Sequence, residues 1–172
     1  MKDNFEACLV EVLKHEGGWA DHPKDPGGAT MKGVTIGTYS TWLGREATKE
    51  ELRNIPDDHL RQIYKPWYWD KVRGDELPRG VDLCLFDYAV NSGPKRAVVA
   101  VQETLGVTAD GALGPKTLWA IQKTDAPTLV GALCQRRLDF LKSLSIWGTF
   151  GGGWERRVKQ VETMGRKMCA TS

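Results

Sequence analysis

Two acidic side chains nine residues apart, Glu16 and Asp25, are the strongest candidates for chemistry in this 172-residue chain. Glu16 stands in Lys14-His15-Glu16-Gly17-Gly18-Trp19, where an amphipathic pattern runs out. Asp25 stands in the loop sequence Asp21-His22-Pro23-Lys24-Asp25-Pro26-Gly27-Gly28. Two carboxyl groups flanking a bond are what glycoside hydrolysis needs: one protonates the leaving oxygen, and the other acts as nucleophile, base or electrostatic partner. A carboxyl at a helix C-terminus faces the negative end of the helix dipole, which disfavours its charged form, as a general acid requires. The dipole supplies only about 0.3–1 kcal/mol at an exposed site, whereas each pH unit of proton retention takes about 1.4 kcal/mol. Glu16 therefore also needs partial burial against apolar surface, for which Trp19, Trp42 and the run Trp67-Tyr68-Trp69 are the candidates. Asp25 has a competing role, because Asp-Pro-Gly-Gly is a turn sequence in its own right.

Helices must position these groups. Phe5, Cys8, Leu9, Val12 and Leu13 share one helical face, Asp3 with Glu6 reads as a capping box at its start, and Gly17-Gly18 reads as a left-handed stop. Residues 20–37 are rich in Gly, Pro and Asp and predict an ordered loop, with Val34-Thr35-Ile36 as a short strand. A loop of that length inside a compact domain is usually functional. Thr48 with Glu51 opens a capped helix, and Pro56-Asp57-Asp58 starts another that carries Leu60, Ile63 and Tyr64 and that Pro66 should kink or end. Val81, Cys84, Leu85 and Tyr88 mark a buried helix closing at Asn91-Ser92-Gly93, and Pro94 starts the next. Turns follow at Asp110-Gly111 and Gly114-Pro115, Asp125-Ala126-Pro127 opens a longer helix, and Gly151-Gly152-Gly153 predicts a flexible break before a last helix near Trp154. The fold class is mainly α with at most a small β element.

Apolar content of 41% with 27% charged residues describes a globular chain without extended disorder. Seven tryptophans in so short a chain suggest that several line a groove or interface, since each indole N–H wants a partner. The net charge of +2 is too small to indicate nucleic acid, but from Gly131 onward eight basic residues face three acidic ones. That basic end suits either an anionic polymer or an ordinary solvated helix face. Cys8, Cys84, Cys134 and Cys169 are far apart with no CxxC pair, which argues against zinc, and the first two read as core thiols. No basic-then-apolar leader and no uncharged run of membrane-spanning length is visible.

The stretches Glu16-Gly17-Gly18-Trp19, Asp25-Pro26-Gly27-Gly28-Ala29-Thr30 and Gly33-Val34-Thr35-Ile36 resemble the glycoside hydrolase family 108 muramidases, phage-type lysozymes (endolysins) that cleave peptidoglycan. Tyr68-Trp69, Leu77-Pro78, Phe86-Asp87 and Ala89-Val90-Asn91-Ser92-Gly93-Pro94 follow, then Gln102, Leu105-Gly106, Asp110-Gly111 and Gly114-Pro115. These look like that family's C-terminal peptidoglycan-binding-type region. The resemblance implies a lysozyme-like helical fold, with a catalytic region over 1–92 and a helical peptidoglycan-binding-type region over 93–172 packed against it or merged with it in one domain. It makes Glu16 the general acid, Asp25 the second carboxylate and Thr30 a water-positioning hydroxyl. Thr30 lies one step short of the pattern of small Glu/Asp/Thr phage lysozymes, so Thr35 stays an alternative. Trp19, Thr35, Tyr68, Trp69, Asp87 and Asn91 are the expected substrate contacts; for Asp87 and Asn91 helix capping and core polar satisfaction compete equally.

The reaction so implied is hydrolysis of the β-1,4 bond between N-acetylmuramic acid and N-acetylglucosamine, without metal or cofactor. Within the same class, a lytic transglycosylase would keep the glutamate and use the sugar's own hydroxyl. Outside it stand a non-catalytic peptidoglycan-binding or structural protein and, last, a nucleic-acid binder. The expected partner is the peptidoglycan glycan strand, with no nucleic acid, no membrane insertion and a monomeric state. Synthesis in the host bacterial cytoplasm without a signal peptide is expected, so reaching the wall implies a holin or another export partner.

Overall fold

The structure, a computed structural model, describes residues 4–171. Its first helix, α1, spans Asn4–His15 and buries Phe5, Cys8, Leu9 and Val12, the stripe that the spacing dictates. The expected cap Asp3 lies outside the described residues. Glu16 follows the last helical residue directly. Gly17 and Gly18 do not stop the helix in the expected way: neither has a positive φ, and a Cβ on either would meet nothing within 4 Å. The chain leaves the helix because its backbone groups find partners elsewhere. Gly17 O accepts from Lys32 N at 2.9 Å, and Ala20 exchanges two hydrogen bonds with Thr30, at 3.0 and 2.8 Å.

Residues 9–66 form one of two compact units. Strands β1 (Thr30–Met31) and β2 (Val34–Thr35) pair antiparallel, Thr30 opposite Thr35 and Met31 opposite Val34. Lys32 and Gly33 join them at φ of 49° and 79°, the type I′ geometry that matches strand twist in a two-residue hairpin. The expected strand thus ends at Thr35, and Ile36 instead opens α2 (Ile36–Leu43), capped by the Thr35 hydroxyl. Helix α3 (Lys49–Arg53) starts in the complete Thr48/Glu51 capping box, and α4 (Asp57–Tyr64) follows Pro56 and buries Leu60, Ile63 and Tyr64. Pro66 does not terminate the coil. Lacking an N–H, it is absorbed in a π-helical turn, Lys65–Trp69, after which two 3-10 turns cover Asp70–Val72 and Gly74–Glu76.

The other unit comprises the N-terminal residues through Cys8 and the chain from Trp67 onward. At its centre α5 (Val81–Ser92) is buried at every position from Val81 to Ala89. Helices α6 (Pro94–Leu105), α8 (Ala126–Lys142) and α9 (Trp147–Cys169) pack around it, with α7 (Pro115–Lys123) against α6 and α8. Gly93, at φ 95°, makes the break between α5 and α6 that Pro94 then follows. Cys8, Cys84 and Cys134 are buried thiols, Cys169 is half-buried, and none of the four forms a disulfide.

The expected break at Gly151-Gly152-Gly153 is absent, because α9 runs through it. Glycine costs about 1 kcal/mol relative to alanine in a helix, yet Gly151 is buried beneath the Trp147 indole, 2.5 Å from where a Cβ would stand. The glycine makes room for a ring lying along its own helix. Nine α-helices and one two-stranded sheet among the described residues make the fold mainly α. None of these helices is long and apolar enough to cross a membrane.

Candidate active site

Glu16 is half-buried, and the hairpin turn and Tyr64 beside it belong with it to residues 9–66. A Cβ on Gly33 would lie 2.8 Å from Glu16 Oε2 and would collide with the Tyr64 hydroxyl. The carboxylate and the phenol therefore crowd the same face of the hairpin turn. Tyr64 comes from the buried face of α4, and its hydroxyl donates to Lys32 O at 2.7 Å, fixing the turn from below. Lys32 N in turn donates to Gly17 O, so the residues after Glu16 are laced to the hairpin. Two of the tryptophans expected as apolar cover have aromatic partners of their own. Trp42 stacks on Tyr39, ring centroids 6.1 Å apart, and lies 4.6 Å from the His59 ring, while Trp69 packs between Phe5 and Phe86. The Tyr64 hydroxyl stands at the same turn as the Glu16 carboxylate.

Thr30 and Thr35 prove to be cross-strand partners, so the two alternatives share one face of the hairpin. Their roles differ. Thr35 Oγ1 accepts from Thr38 N at 3.1 Å as the cap of α2. Thr30 Oγ1 makes no hydrogen bond among the described residues, while its backbone is pinned to Ala20 on one side. Asp25 is exposed, on the tip of the excursion from Ala20 to Thr30. Its Oδ1 accepts from Gly27 N at 2.8 Å and its carbonyl from Gly28 N at 3.1 Å, the turn that Asp-Pro-Gly-Gly predicts, leaving Oδ2 to face solvent. Lys49 anchors the start of the same loop through Asp21 at 2.9 Å. Trp19 is half-buried, with the Arg53 guanidinium 5.6 Å from its ring centre.

The remaining expected contacts lie in the other unit, and two of them are not at a surface. Trp69 is 0% exposed, its indole N–H donating to Asp75 Oδ1 at 3.0 Å. Asp87 is also 0% exposed; Arg137 donates to its Oδ2 at 2.6 Å and Arg157 to its Oδ1 at 2.9 Å. These two expectations are corrected to packing and core charge neutralisation, since a side chain with no accessible surface meets no sugar. Burial pushes the Asp87 carboxyl up, but the charges of Arg137 and Arg157 together outweigh it and hold the group below the ordinary aspartate range. Asn91 is exposed at the end of α5, accepting from Arg137 at 3.2 Å, and Tyr68 is half-buried on the π-helical turn.

Sequence reasoning missed Tyr64 and Lys32 at the hairpin turn and Arg137 in the core of the other unit. Tyr64 reads as one more apolar residue of α4, and only the hairpin reveals what its hydroxyl holds. Arg137 carried a usable signal, lying three or four residues from Leu133, Cys134 and Leu141 and hence on the buried face of α8. A basic residue on such a face needs a buried acid. Among the described residues no cluster of three His, Cys, Asp or Glu side chains is arranged to hold a metal ion.

A mainly α, lysozyme-like fold with a glutamate seated against a small hairpin defines a helical glycosidase. The family model described as Glycosyl hydrolase 108 matches residues 9–93, and that described as Predicted Peptidoglycan domain matches residues 96–159. The structure of Brucella abortus SagA is 43% identical, with a TM-score of 0.86 over 98% of this chain and 97% of that one. No curated protein matches. The chain belongs to the glycosyl hydrolase 108 family, as a glycoside hydrolase of muramidase type with a peptidoglycan-binding region. Its activity is of the peptidoglycan-hydrolase, lysozyme-like kind.

Proposed function

We propose that the protein is an N-acetylmuramidase that cleaves the β-1,4 bond between N-acetylmuramic acid and N-acetylglucosamine, with Glu16 as general acid. The observation that supports this most is the seat of Glu16, whose Oε2 stands against a turn that only glycine fits and that Tyr64 holds in place. A general acid must meet the leaving oxygen at one defined position, and a carboxylate fixed by backbone and ring meets that need better than a mobile one. Glu16 protonates the glycosidic oxygen as the bond breaks. Asp25 Oδ2 and the Thr30 hydroxyl, both unengaged among the described residues, stabilise the oxocarbenium-like transition state and orient the incoming water. Trp19 and Thr35, in the same unit as Glu16, are the further sugar contacts.

Digestion of purified peptidoglycan in ¹⁸O-labelled water tests the reaction type. New reducing muramic acid ends carrying the label support the muramidase. Anhydro ends without label would reassign the enzyme as a lytic transglycosylase, and the absence of new ends would leave a wall-binding protein.

A further inference from the structure

Helices α6 and α8 border a cleft of about 710 Å³ that Tyr88 of α5 also lines. Its floor and walls are apolar at Ala100 and Phe140, and its rim carries two unmatched charges. Arg96, on α6, lies with its guanidinium 4.3 Å from the centre of the Phe140 ring, and among the described residues it makes no ion pair. Asp139, on α8, accepts from the neutral Gln135 amide at 2.9 Å and likewise has no cationic partner there. Beside them Arg136 and Glu103 satisfy each other at 3.2 Å. The cleft is therefore lined by one cation and one anion without ionic partners among the described residues, together with the Phe140 ring. A polyanion or polycation matches only one of those charges; a ligand with a carboxylate and an ammonium group a few bonds apart matches both.

We propose that this cleft binds the peptide stem of peptidoglycan through the zwitterionic end of its diamino acid. The carboxylate pairs with Arg96, the ammonium with Asp139, and the aliphatic stem lies on Phe140 and Ala100. The proposal rests on peptidoglycan being the substrate. On it, the region matched as a peptidoglycan domain holds the strand by its peptide while the glycan is cut elsewhere. Charge-assisted pairs of this kind are about twice as strong as neutral hydrogen bonds, so each should be worth about a tenfold change in affinity.

The test is calorimetric titration of the full chain with a synthetic stem peptide, L-Ala-γ-D-Glu-diaminopimelate, free of sugar. Binding that falls about tenfold in both Arg96→Ala and Asp139→Asn, with unchanged melting temperatures, supports the site. Amidation of the diamino acid carboxylate should cost wild type the same factor and Arg96→Ala nothing further. Peptide-free glycan strands should be cleaved by both variants at the wild-type rate. No binding of the peptide by an enzyme that cleaves glycan would overturn the inference and leave the muramidase reading intact. Binding that neither substitution weakens would also overturn it. Peptide binding lost in both variants of a protein that cleaves nothing would keep this site and sink the muramidase.

Discussion

At the scale of single residues, the geometry ties two side chains, Glu16 and Tyr64, to one backbone turn. Gly33 is irreplaceable on two counts, its φ of 79° and the atoms of Glu16 and Tyr64 that occupy the place of a side chain. Left-handed backbone costs a non-glycine residue about 1–2 kcal/mol, and the collision adds to it. Gly33→Ala should therefore lower stability by at least that amount and cut turnover tenfold or more, measured by thermal melting and by release of reducing ends from peptidoglycan. The two threonines separate by readout. Thr35→Val removes a helix cap and should cost about 0.5–2 kcal/mol in stability, whereas Thr30→Val should leave melting nearly unchanged and lower kcat. Equal stability losses in both would remove the distinction. The turn at Asp25 was legible in sequence because loop chemistry shows there directly. Tyr64 was not, because a phenol on an apolar helical stripe is indistinguishable from packing until its partner on a distant turn is known.

Among the elements, α5 concentrates the buried charge of its unit, and its two aspartates respond to pH in opposite directions. Asp87 is held below the ordinary aspartate range because its two arginines outweigh the cost of burial. Its stabilisation is full above the unfolded value and is lost as pH falls through the lowered one. Asp82 is raised, chiefly by burial, against hydrogen bonds from Asn4, Leu83 and Gly80. Its stabilisation is present at low pH and is lost as pH rises through the raised value. On acidification the protein should first gain stability from Asp82 and then, below the ordinary aspartate range, lose it through Asp87. Asp82→Asn should abolish the first limb in pH-dependent melting curves without unfolding the protein. Asn4 Oδ1, which is buried without a hydrogen-bond partner, gains a donor if its amide turns over. Asp87→Ala should cost about 3–5 kcal/mol, since it strands the buried Arg137.

Element boundaries were legible at Thr48/Glu51, Pro56, Gly93-Pro94 and Asp125, but not at Thr35, whose cap opens α2 where a strand was expected. They failed at Gly151-Gly152-Gly153, where propensity argued for a break and the packing of Trp147 decided otherwise. Adjacent glycines should consequently differ in sign. Gly151→Ala should destabilise by displacing the Trp147 ring. Gly152→Ala should stabilise by about 1 kcal/mol, because the only neighbour within 4 Å of its new Cβ is the flexible Arg156 guanidinium at 3.6 Å. Thermal melts of the two variants decide this.

For the molecule as a whole, net charge was a poor guide and its distribution a partial one. Of the eight basic residues after Gly131, five are matched by carboxylates: Arg137 and Arg157 by Asp87, Arg136 by Glu103, Lys159 by Glu155 and Arg166 by Glu162. Three of these pairs lie on the helical surface and two neutralise the buried Asp87. The helical class and the motif order were legible because both are written locally in periodicity and in turn residues. The division into compact units was not, because the first helix changes unit between Cys8 and Leu9 with no interruption of its pattern. The central claim, that one carboxyl performs the acid step on a wall glycan, is tested most directly with Glu16→Gln. This neutral, near-isosteric substitution should leave sedimentation with insoluble peptidoglycan unchanged while release of reducing ends falls at least a thousandfold. Release of reducing ends by Glu16→Gln within tenfold of wild type would contradict it.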